Sequence, residues 1–376
     1  MLQSVLLRKT LPVLLFCFVT LGAAHILYAQ SFLPVYQKGS GELITDLTIG
    51  GDVGGEEYLL SGPGRIAVDE NGNIFVLDSR ENHIKKFDAA GKYIKTFAKK
   101  GKGPGEILQA YQMGMEPDGN IVTWDLGNRR FSFFDNDGTF LHSIPFQEII
   151  WGFKISPDGN FIVETHKWDF KNKKGTLIKV TRFSPDLKEK VPVDSAKIID
   201  NKFITEPMRT NIPVPFQAQL IWDIAPNGNI VVALSGDYTI KIFSPAIKLI
   251  KQFQHNAARE KVTSADKKAY FDSMTSSVGG QIKKGAPDFI RKSTDFPKYK
   301  PYFTGIIIDH EGNILVRTFK TEKERSVYDI FSPDGNFICR TKLPPQLSFA
   351  VFKKGFIYAV RSSADGFPAV CRYKLK

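Results

Sequence analysis

The 376-residue sequence has few of the residues that build metal centres and disulfide frameworks. It contains only 3 Cys and 6 His, and no two histidines after residue 29 have the spacing of a zinc site. The Gly-x-Ser-x-Gly, Gly-x-x-x-x-Gly-Lys-Ser/Thr and His-Glu-x-x-His motifs are all absent from it, which excludes the chemistry they carry. Beyond the first 29 residues it has no long apolar run, so it is not a polytopic membrane protein.

The amino terminus is typical of a signal peptide. Two basic residues precede an apolar stretch from Leu11 to Ala24, and small residues then offer cleavage after Ala24 or after Ala29. We therefore predict that residues 1–29 are a signal peptide that is removed, and that the mature protein is secreted or periplasmic. An uncleaved membrane anchor is the alternative, because the apolar stretch is long.

The charge of the chain indicates the chemistry of its partners. Lys and Arg outnumber Asp and Glu by 51 to 39, which gives a net charge of +12. An exported protein with this charge is attracted to anionic surfaces and ligands. We expect the partner to be a protein, a peptide, or an anionic small molecule or glycan, with association at a membrane surface or the cell envelope. Nucleic acid is not an expected partner outside the cytoplasm.

Two cysteines, Cys339 and Cys371, remain after removal of the signal peptide. An oxidising compartment permits a disulfide between them. Both lie in apolar runs that resemble strands, however, and this context favours two buried thiols.

The most informative feature of the sequence is a hairpin that recurs six times. Its first copy reads Arg65-Ile-Ala-Val-Asp-Glu-Asn-Gly72-Asn-Ile-Phe-Val-Leu-Asp78, in which two short runs of strand-forming residues flank an Asn-Gly turn. The turn glycine recurs at Gly72, Gly119, Gly159, Gly228, Gly312 and Gly355. A second hairpin follows most copies, so one unit holds four strands, as does one blade of a β-propeller.

Six such units predict an all-β fold, a six-bladed β-propeller over residues 41–376 with four antiparallel strands in each blade. Residues 30–40 are expected to form a linker. The sixth unit stops after its third strand, and an open edge strand would be an aggregation hazard. We therefore expect the segment from Gly41 to Ile49 to supply the missing outer strand and to close the ring.

The repeat resembles the NHL repeat and the bacterial six-bladed propeller families related to it. The resemblance lies in the pattern Gly-x-Ile-Ala-Val-Asp-x-x-Gly-Asn-Ile-x-Val-x-Asp and in the glycine-rich connector from Gly101 to Glu106. Blade two adds an Asp-x-x-Asn-x-Arg turn made of Asp125, Asn128 and Arg130. The resemblance implies a fold and not a function, because this fold carries binding proteins and enzymes alike.

Two blades are longer than a bare repeat, with insertions at about 194–220 and about 254–302. All long segments fall between the second and third strands of a blade or between blades, and these loops share one face of the disc. Insertions confined to one face mark a binding face. The second insertion, in the connector between blades four and five, contains a short predicted helix for which Ser264 is the expected N-cap. This helix is either a lid or an ordinary part of the connector.

Several polar residues lie at the strand ends on this face, where they can reach the mouth of the central channel. We predict that the ligand-binding residues are Arg65, Arg80, Glu164, His166, Trp168, Arg317 and Arg361. Guanidinium groups suit a carboxylate, a phosphate or a sugar acid. The Asp78 and Asp125 carboxylates are expected instead to cap the turns that follow them.

These features together predict an exported, non-catalytic propeller that binds a ligand or a protein through its inserted face and needs no cofactor. The alternative is a calcium-dependent hydrolase, lactonase or lyase at the channel mouth, with Asp125, Asn128 and Glu164 as metal ligands. A third alternative is a structural module that assembles through the edge of its disc, for which exposed apolar rim residues would be the signature.

Overall fold

The computed structural model describes residues 31–51, 54–168, 175–199, 201–206, 210–278, 281–347, 350–362 and 366–376. The predicted signal peptide lies outside these ranges. Within them, none of the helices has the length and apolar character needed to span a membrane.

The protein is a ring of six small antiparallel sheets, which confirms the predicted six-bladed propeller. Helix α1 (Leu33–Gln37) and strand β1 (Leu43–Gly50) precede the first blade. Blades one to three are formed by β2 (Pro63–Val68), β3 (Ile74–Asp78), β4 (His83–Phe87), β5 (Tyr93–Phe97), β6 (Ala110–Met115), β7 (Ile121–Asp125), β8 (Arg130–Phe134), β9 (Phe140–Pro145), β10 (Ile150–Ile155), β11 (Phe161–Trp168), β12 (Thr176–Phe183) and β13 (Lys190–Ile198). Short 3₁₀ turns lie at Glu56–Tyr58 and Pro345–Leu347.

The second half of the ring contains both insertions. In chain order its elements are β14 (Asn201–Ile204), β15 (Thr210–Pro213), β16 (Leu220–Ile224), β17 (Ile230–Leu234), β18 (Thr239–Phe243), β19 (Leu249–Gln254), α2 (Ser264–Asp272), β20 (Thr275–Val278), β21 (Gln281–Lys284), α3 (Asp288–Ser293), β22 (Phe303–Ile308), β23 (Ile314–Glu322), β24 (Arg325–Phe331), β25 (Phe337–Leu343), β26 (Val351–Lys353), β27 (Phe356–Ser362) and β28 (Pro368–Leu375). Strands β16–β19 form blade four, and strands β22–β25 form blade five.

The hydrophobic core lies in the seams between neighbouring blades. In the seam of blades two and three, Phe131 contacts Phe146, Phe153 and Phe161 edge to face, with ring centroids 5.2–5.4 Å apart. This is the geometry that aromatic pairs prefer. The many phenylalanines of the sequence therefore serve the packing of sheet on sheet.

Blade six is completed by the amino-terminal strand, as predicted. Its sheet has the order β1-β28-β27-β26, with Leu43 opposite Leu375 and Gly50 opposite Ala369. The Asp46 carboxylate accepts a hydrogen bond from Arg372 at 2.6 Å and pairs with Lys374 at 2.9 Å. The first described strand thus covers the edge that blade six would otherwise expose.

Residues 31–40, expected to be a linker, are instead packed into the seam of blades five and six. Phe32 and Tyr36 are fully buried, and the Phe32 ring meets His310 edge to face at 4.7 Å. The Tyr36 hydroxyl donates a hydrogen bond of 3.2 Å to Asp309. This segment packs into the seam because the spacing of Phe32, Val35 and Tyr36 places three apolar side chains on one face of a short helix.

The two insertions contact each other. The Tyr270 hydroxyl donates a hydrogen bond of 2.7 Å to the carbonyl of Pro213, and Lys202 pairs with Asp295 at 2.6 Å. The first insertion starts later than expected, because β13 continues its pairing with β12 to Ile198. Helix α2 is capped by Thr263, one residue before the expected N-cap, through reciprocal hydrogen bonds with Asp266.

The two described cysteines are free thiols, with Cys371 buried and Cys339 half-buried.

Candidate functional site

A cavity of about 530 Å³ lies on the axis of the ring, at the face that carries the blade connectors and the insertions. Its wall comes mainly from the innermost strands β2, β6, β10, β16 and β22, near the residues where each strand begins. This volume is within the range of about 300–1,000 Å³ that is usual for small-molecule sites.

The wall has two chemically different sides. Its polar and aromatic side chains include Arg65 from blade one, Gln112 from blade two, Trp151 and Glu164 from blade three, Trp222 from blade four and Arg317 from blade five. Among the residues that the structure describes, blade six contributes Ala350 and Val351. The order of blades around the ring therefore places the two arginines on either side of an apolar wall, and the two indoles in blades three and four, across the axis.

The blade-one side of the wall is held by a buried amide. The Arg65 guanidinium donates hydrogen bonds from Nε to Gln112 Oε1 at 2.9 Å and from Nη1 to the Gly64 carbonyl at 2.8 Å. Gln112 in turn donates to the carbonyl of Trp151 at 2.8 Å, so one side chain connects three blades. Burial lowers the pKa of the Arg65 guanidinium, because a cation removed from water loses hydration.

The opposite side of the wall is organised around Glu164. Its Oε2 accepts a hydrogen bond of 2.8 Å from the indole N–H of Trp222, and its Oε1 lies 2.5 Å from Nε2 of His166. The His166 ring stacks on Trp151, with centroids 4.6 Å apart and an interplanar angle of 19°. Both indoles are thus fixed to the same carboxylate, one directly and one through the imidazole.

A second ion pair lies in the wall. Lys154 of blade three pairs with the buried Asp223 of blade four, whose Oδ2 accepts a hydrogen bond of 3.1 Å from the backbone N–H of Ile308 in blade five. The charged side chains among the described wall residues are Arg65, Lys154, Glu164, Asp223 and Arg317. Cations outnumber carboxylates among them, and Lys154 and Asp223 compensate each other.

Backbone irregularities explain how these side chains reach the axis. The pairing of the first two strands is interrupted at the same place in blades one, two, three and five, and such bulges redirect side chains. Glu164 lies opposite Gly152, and Arg317 lies opposite Gly305. Gly305 has no side chain, and Nε and Nη2 of Arg317 lie 3.9 Å from the position that a Cβ would occupy there. At Gly152 the group nearest to that position is the Trp222 ring, at 4.0 Å.

The structure brings together only part of the predicted site. Arg65, Glu164 and Arg317 line the cavity, and His166 contacts it through Glu164 and Trp151. Arg80 and Arg361 are exposed and lie outside the wall, and Trp168 lies outside it as well, at the end of β11. Sequence reasoning did not find Gln112, Trp151 and Trp222. None of the described residues of the second insertion, helix α2 included, lines the cavity.

The aspartates of the turns have structural contacts, as expected. Asp78 is fully buried and accepts hydrogen bonds of 3.2 Å from the backbone N–H groups of Arg80 and Glu81 in the turn that follows it. It also accepts from the N–H groups of Ser61 and Gly62, before β2, at 2.6 and 3.0 Å. Asp125 accepts from the N–H of Leu108 at 2.9 Å and from the side chain of Asn128 at 2.5 Å, and burial raises the pKa of this carboxyl group.

The proposed calcium ligands do not form one site. Neither Asp125 nor Asn128 lines the cavity that Glu164 lines, and Asn128 Nδ2 donates to the Gly101 carbonyl at 3.0 Å, which ties the connector to blade two. In the part of the chain that the structure describes, no group of three His, Cys, Asp or Glu side chains is arranged to hold a metal ion.

The comparison with known families agrees with this architecture. The model of the DUF5128 family, described as a 6-bladed beta-propeller, matches residues 54–271. The chain belongs to this family. The matched part of this DUF5128 propeller contains all the polar wall residues of blades one to four. The NHL repeat itself stays a prediction.

Solved structures similar to this DUF5128 protein show the fold alone. A candidate exported protein from Bacteroides fragilis is 12% identical, with 89% of this chain and 95% of that chain covered and a TM-score of 0.53. A DUF4221 family member from Bacteroides vulgatus is 11% identical, with 90% and 99% covered and a TM-score of 0.54. A gluconolactonase from Xanthomonas campestris is 10% identical, with 89% of this chain and 99% of that chain covered and a TM-score of 0.47. No curated protein matches the chain in sequence.

Proposed function

We propose that this DUF5128 protein is an exported, non-catalytic propeller that binds an anionic ligand in the axial cavity, at the face that carries both insertions. The observation that carries the proposal is the cavity wall itself, which combines the guanidinium groups of Arg65 and Arg317 with the indoles of Trp151 and Trp222. Guanidinium groups recognise carboxylate and phosphate with high geometric specificity.

The charge balance of the wall favours an anion. Among the described lining residues, Lys154 pairs with Asp223, and the other charged side chains are Arg65, Arg317 and Glu164. The cations of the described wall thus outnumber its carboxylates. Arg65 is half-buried and has lost part of its hydration, as the lowered pKa of its guanidinium indicates. An anionic ligand replaces the lost water with a direct ionic contact.

The side chains of the wall support binding rather than catalysis. Thr304 carries the only side-chain hydroxyl among the described lining residues. Its Oγ1 accepts a hydrogen bond of 2.8 Å from Arg317 Nε and donates one of 3.2 Å to the Arg317 carbonyl. A nucleophile needs an adjacent general base, and Thr304 is paired with an arginine instead. Glu164 and His166 are used to position the two indoles.

The proposal that the protein is exported rests on the first 29 residues, whose basic start, apolar stretch and small residues are typical of a signal peptide. A secreted or periplasmic location agrees with an anionic ligand from the medium or from the cell envelope.

The test is a thermal-shift and calorimetric screen on purified protein expressed from the full chain. Small carboxylates, phosphates and sulfates are each compared with a neutral analogue. We expect a saturable shift with an anion, since a ligand at a hundred times its Kd stabilises the folded state by about 2.7 kcal/mol. Arg65→Met and Arg317→Met should abolish the shift, and Arg361→Met, an exposed arginine outside the wall, is the matched control. Equal binding by all three variants would refute the proposal, and calcium-dependent turnover of the ligand would favour the hydrolase alternative.

A further inference from the structure

The axial cavity presents three recognition elements in a fixed order around the ring. Two indoles lie in blades three and four, the Glu164 carboxylate lies between them, and two guanidinium groups lie in blades one and five. We infer that the ligand is a sugar acid, a pyranose ring that carries a carboxylate. This inference rests on the proposed function and specifies its ligand.

The indoles fit the ring of such a ligand. Trp151 lines the cavity while 58% of its surface is exposed, although its ring is held in place by the stack on His166. A rigid and exposed aromatic surface gains free energy when an apolar surface covers it. The C–H face of a pyranose is such a surface, and stacking on it does not require the ligand to give up its hydroxyl contacts.

Glu164 distinguishes a sugar acid from other organic anions. A carboxylate has about four acceptor sites on its two oxygens, and the contacts of Glu164 with Trp222 and His166 use one site on each oxygen. The remaining sites can accept hydrogen bonds from hydroxyl groups. A ligand with a carboxylate but no hydroxyls would leave these acceptor sites of Glu164 without a donor. Hydroxyls therefore belong on the indole side of the ligand.

The arginines fit the other end of the ligand. Arg65 and Arg317 lie in the blades on either side of blade six, whose described lining residues are the small apolar Ala350 and Val351. A carboxylate bound there has a cation on either side, and the described lining residues of blade six carry no negative charge. The carboxylate of the ligand is thus recognised at one side of the cavity and its pyranose ring at the opposite side. Each side is unsuited to the other end of the ligand.

Isothermal titration of the purified protein, expressed from the full chain, tests this inference. The probes are D-glucuronate and D-galacturonate, with D-glucose as the sugar without a carboxylate and benzoate as the carboxylate without hydroxyls. We expect one of the uronates to bind at least tenfold more tightly than glucose and benzoate. Glu164→Gln should weaken uronate binding at least tenfold and leave benzoate binding equal or stronger.

Two further variants keep the test independent of folding defects. Trp151→Ala removes an exposed ring and should weaken uronate binding with little change in the thermal midpoint, and Arg361→Met should bind as the unmodified protein does. Binding of benzoate or inorganic phosphate that depends on Arg65 and Arg317, without uronate binding, would overturn the sugar acid and leave the proposed function standing. Absence of binding for every anion would overturn both.

Discussion

The indole N–H of Trp222 donates a hydrogen bond of 2.8 Å to the carboxylate of Glu164, and this contact joins blade four to blade three in the wall of the cavity. Both side chains are therefore oriented before a ligand arrives. Preorganisation of this kind improves affinity, because less conformational entropy is lost on binding.

Replacing Trp222 by Phe should remove this hydrogen bond and keep an aromatic surface. We expect the free energy of unfolding to fall by about 1.5–3 kcal/mol, the usual contribution of a hydrogen bond to a charged group. Urea unfolding at pH 7 measures the loss. In a double-mutant cycle with Glu164→Gln the two losses should not add. Additive losses would mean that the contact does not contribute to stability.

The buried Tyr328 hydroxyl should make the protein sensitive to alkali. Burial raises the pKa of Tyr328 to about 12, whereas an unfolded tyrosine ionises near pH 10. Between these values the unfolded chain releases a proton that the folded protein keeps. The free energy of unfolding therefore falls as pH rises above about 10, by roughly 1.4 kcal/mol per pH unit from this residue.

Urea midpoints between pH 8 and pH 11 check this expectation. Tyr328→Phe should show a shallower decline above pH 10 than the unmodified protein, although other buried tyrosines such as Tyr36 contribute in the same direction, since burial raises the pKa of Tyr36 as well. Identical slopes for both proteins would contradict the assignment.

The segment before β1 should be essential for stability. Phe32 is fully buried in the seam of blades five and six, so Phe32→Ala should lower the free energy of unfolding by about 3–5 kcal/mol. Leu59→Ala is the control, because Leu59 is 55% exposed and its truncation should change little. A loss below about 1 kcal/mol for Phe32→Ala would show that the segment is not part of the core.

The turn aspartate of blade two should matter for folding and not for binding. Asp125→Ala leaves the N–H groups of Leu108 and Asn128 without their acceptor, which should cost about 1–3 kcal/mol for each unpaired group that stays buried. The affinity for a uronate should be unchanged, because Asp125 does not line the cavity.

The same variant tests the calcium alternative. We expect calorimetry to give the same thermal midpoint in EDTA and in calcium, for the unmodified protein and for Asp125→Ala alike. A saturable calcium shift that disappears in Asp125→Ala would instead favour the calcium-dependent hydrolase.

The ring of blades could be predicted from the sequence because its turns leave a local signal. Gly72 and Gly312 have φ of 84° and 85°, a conformation that glycine adopts without strain. Because each blade requires a glycine at the turn between its first two strands, the sequence shows a glycine that recurs once in every blade. The role of residues 31–40 left a weaker signal, because three apolar residues in a short segment are as compatible with a loop as with a helix.

The cavity was only partly predictable because bulges change which side chains face the axis. Alternation along a strand holds only where pairing is regular, and Trp151 lies where the pairing of β10 with β11 is interrupted, between Ile150 and Gly152. Gly152 and Gly305 carried a signal that could have been read, since a glycine in an inner strand indicates close approach of another group. Arg361 matched the repeat register and yet lies outside the wall.

The pairing of β1 with β28 also decides when the fold can be completed. Asp46 and Arg372, which bond across this pair, are 326 residues apart in sequence. Contacts of such separation form slowly, because a long chain must be closed before they give any stabilisation. Five blades can assemble as the chain emerges, but the sixth waits for the last strand, and until then the first strand has no partner.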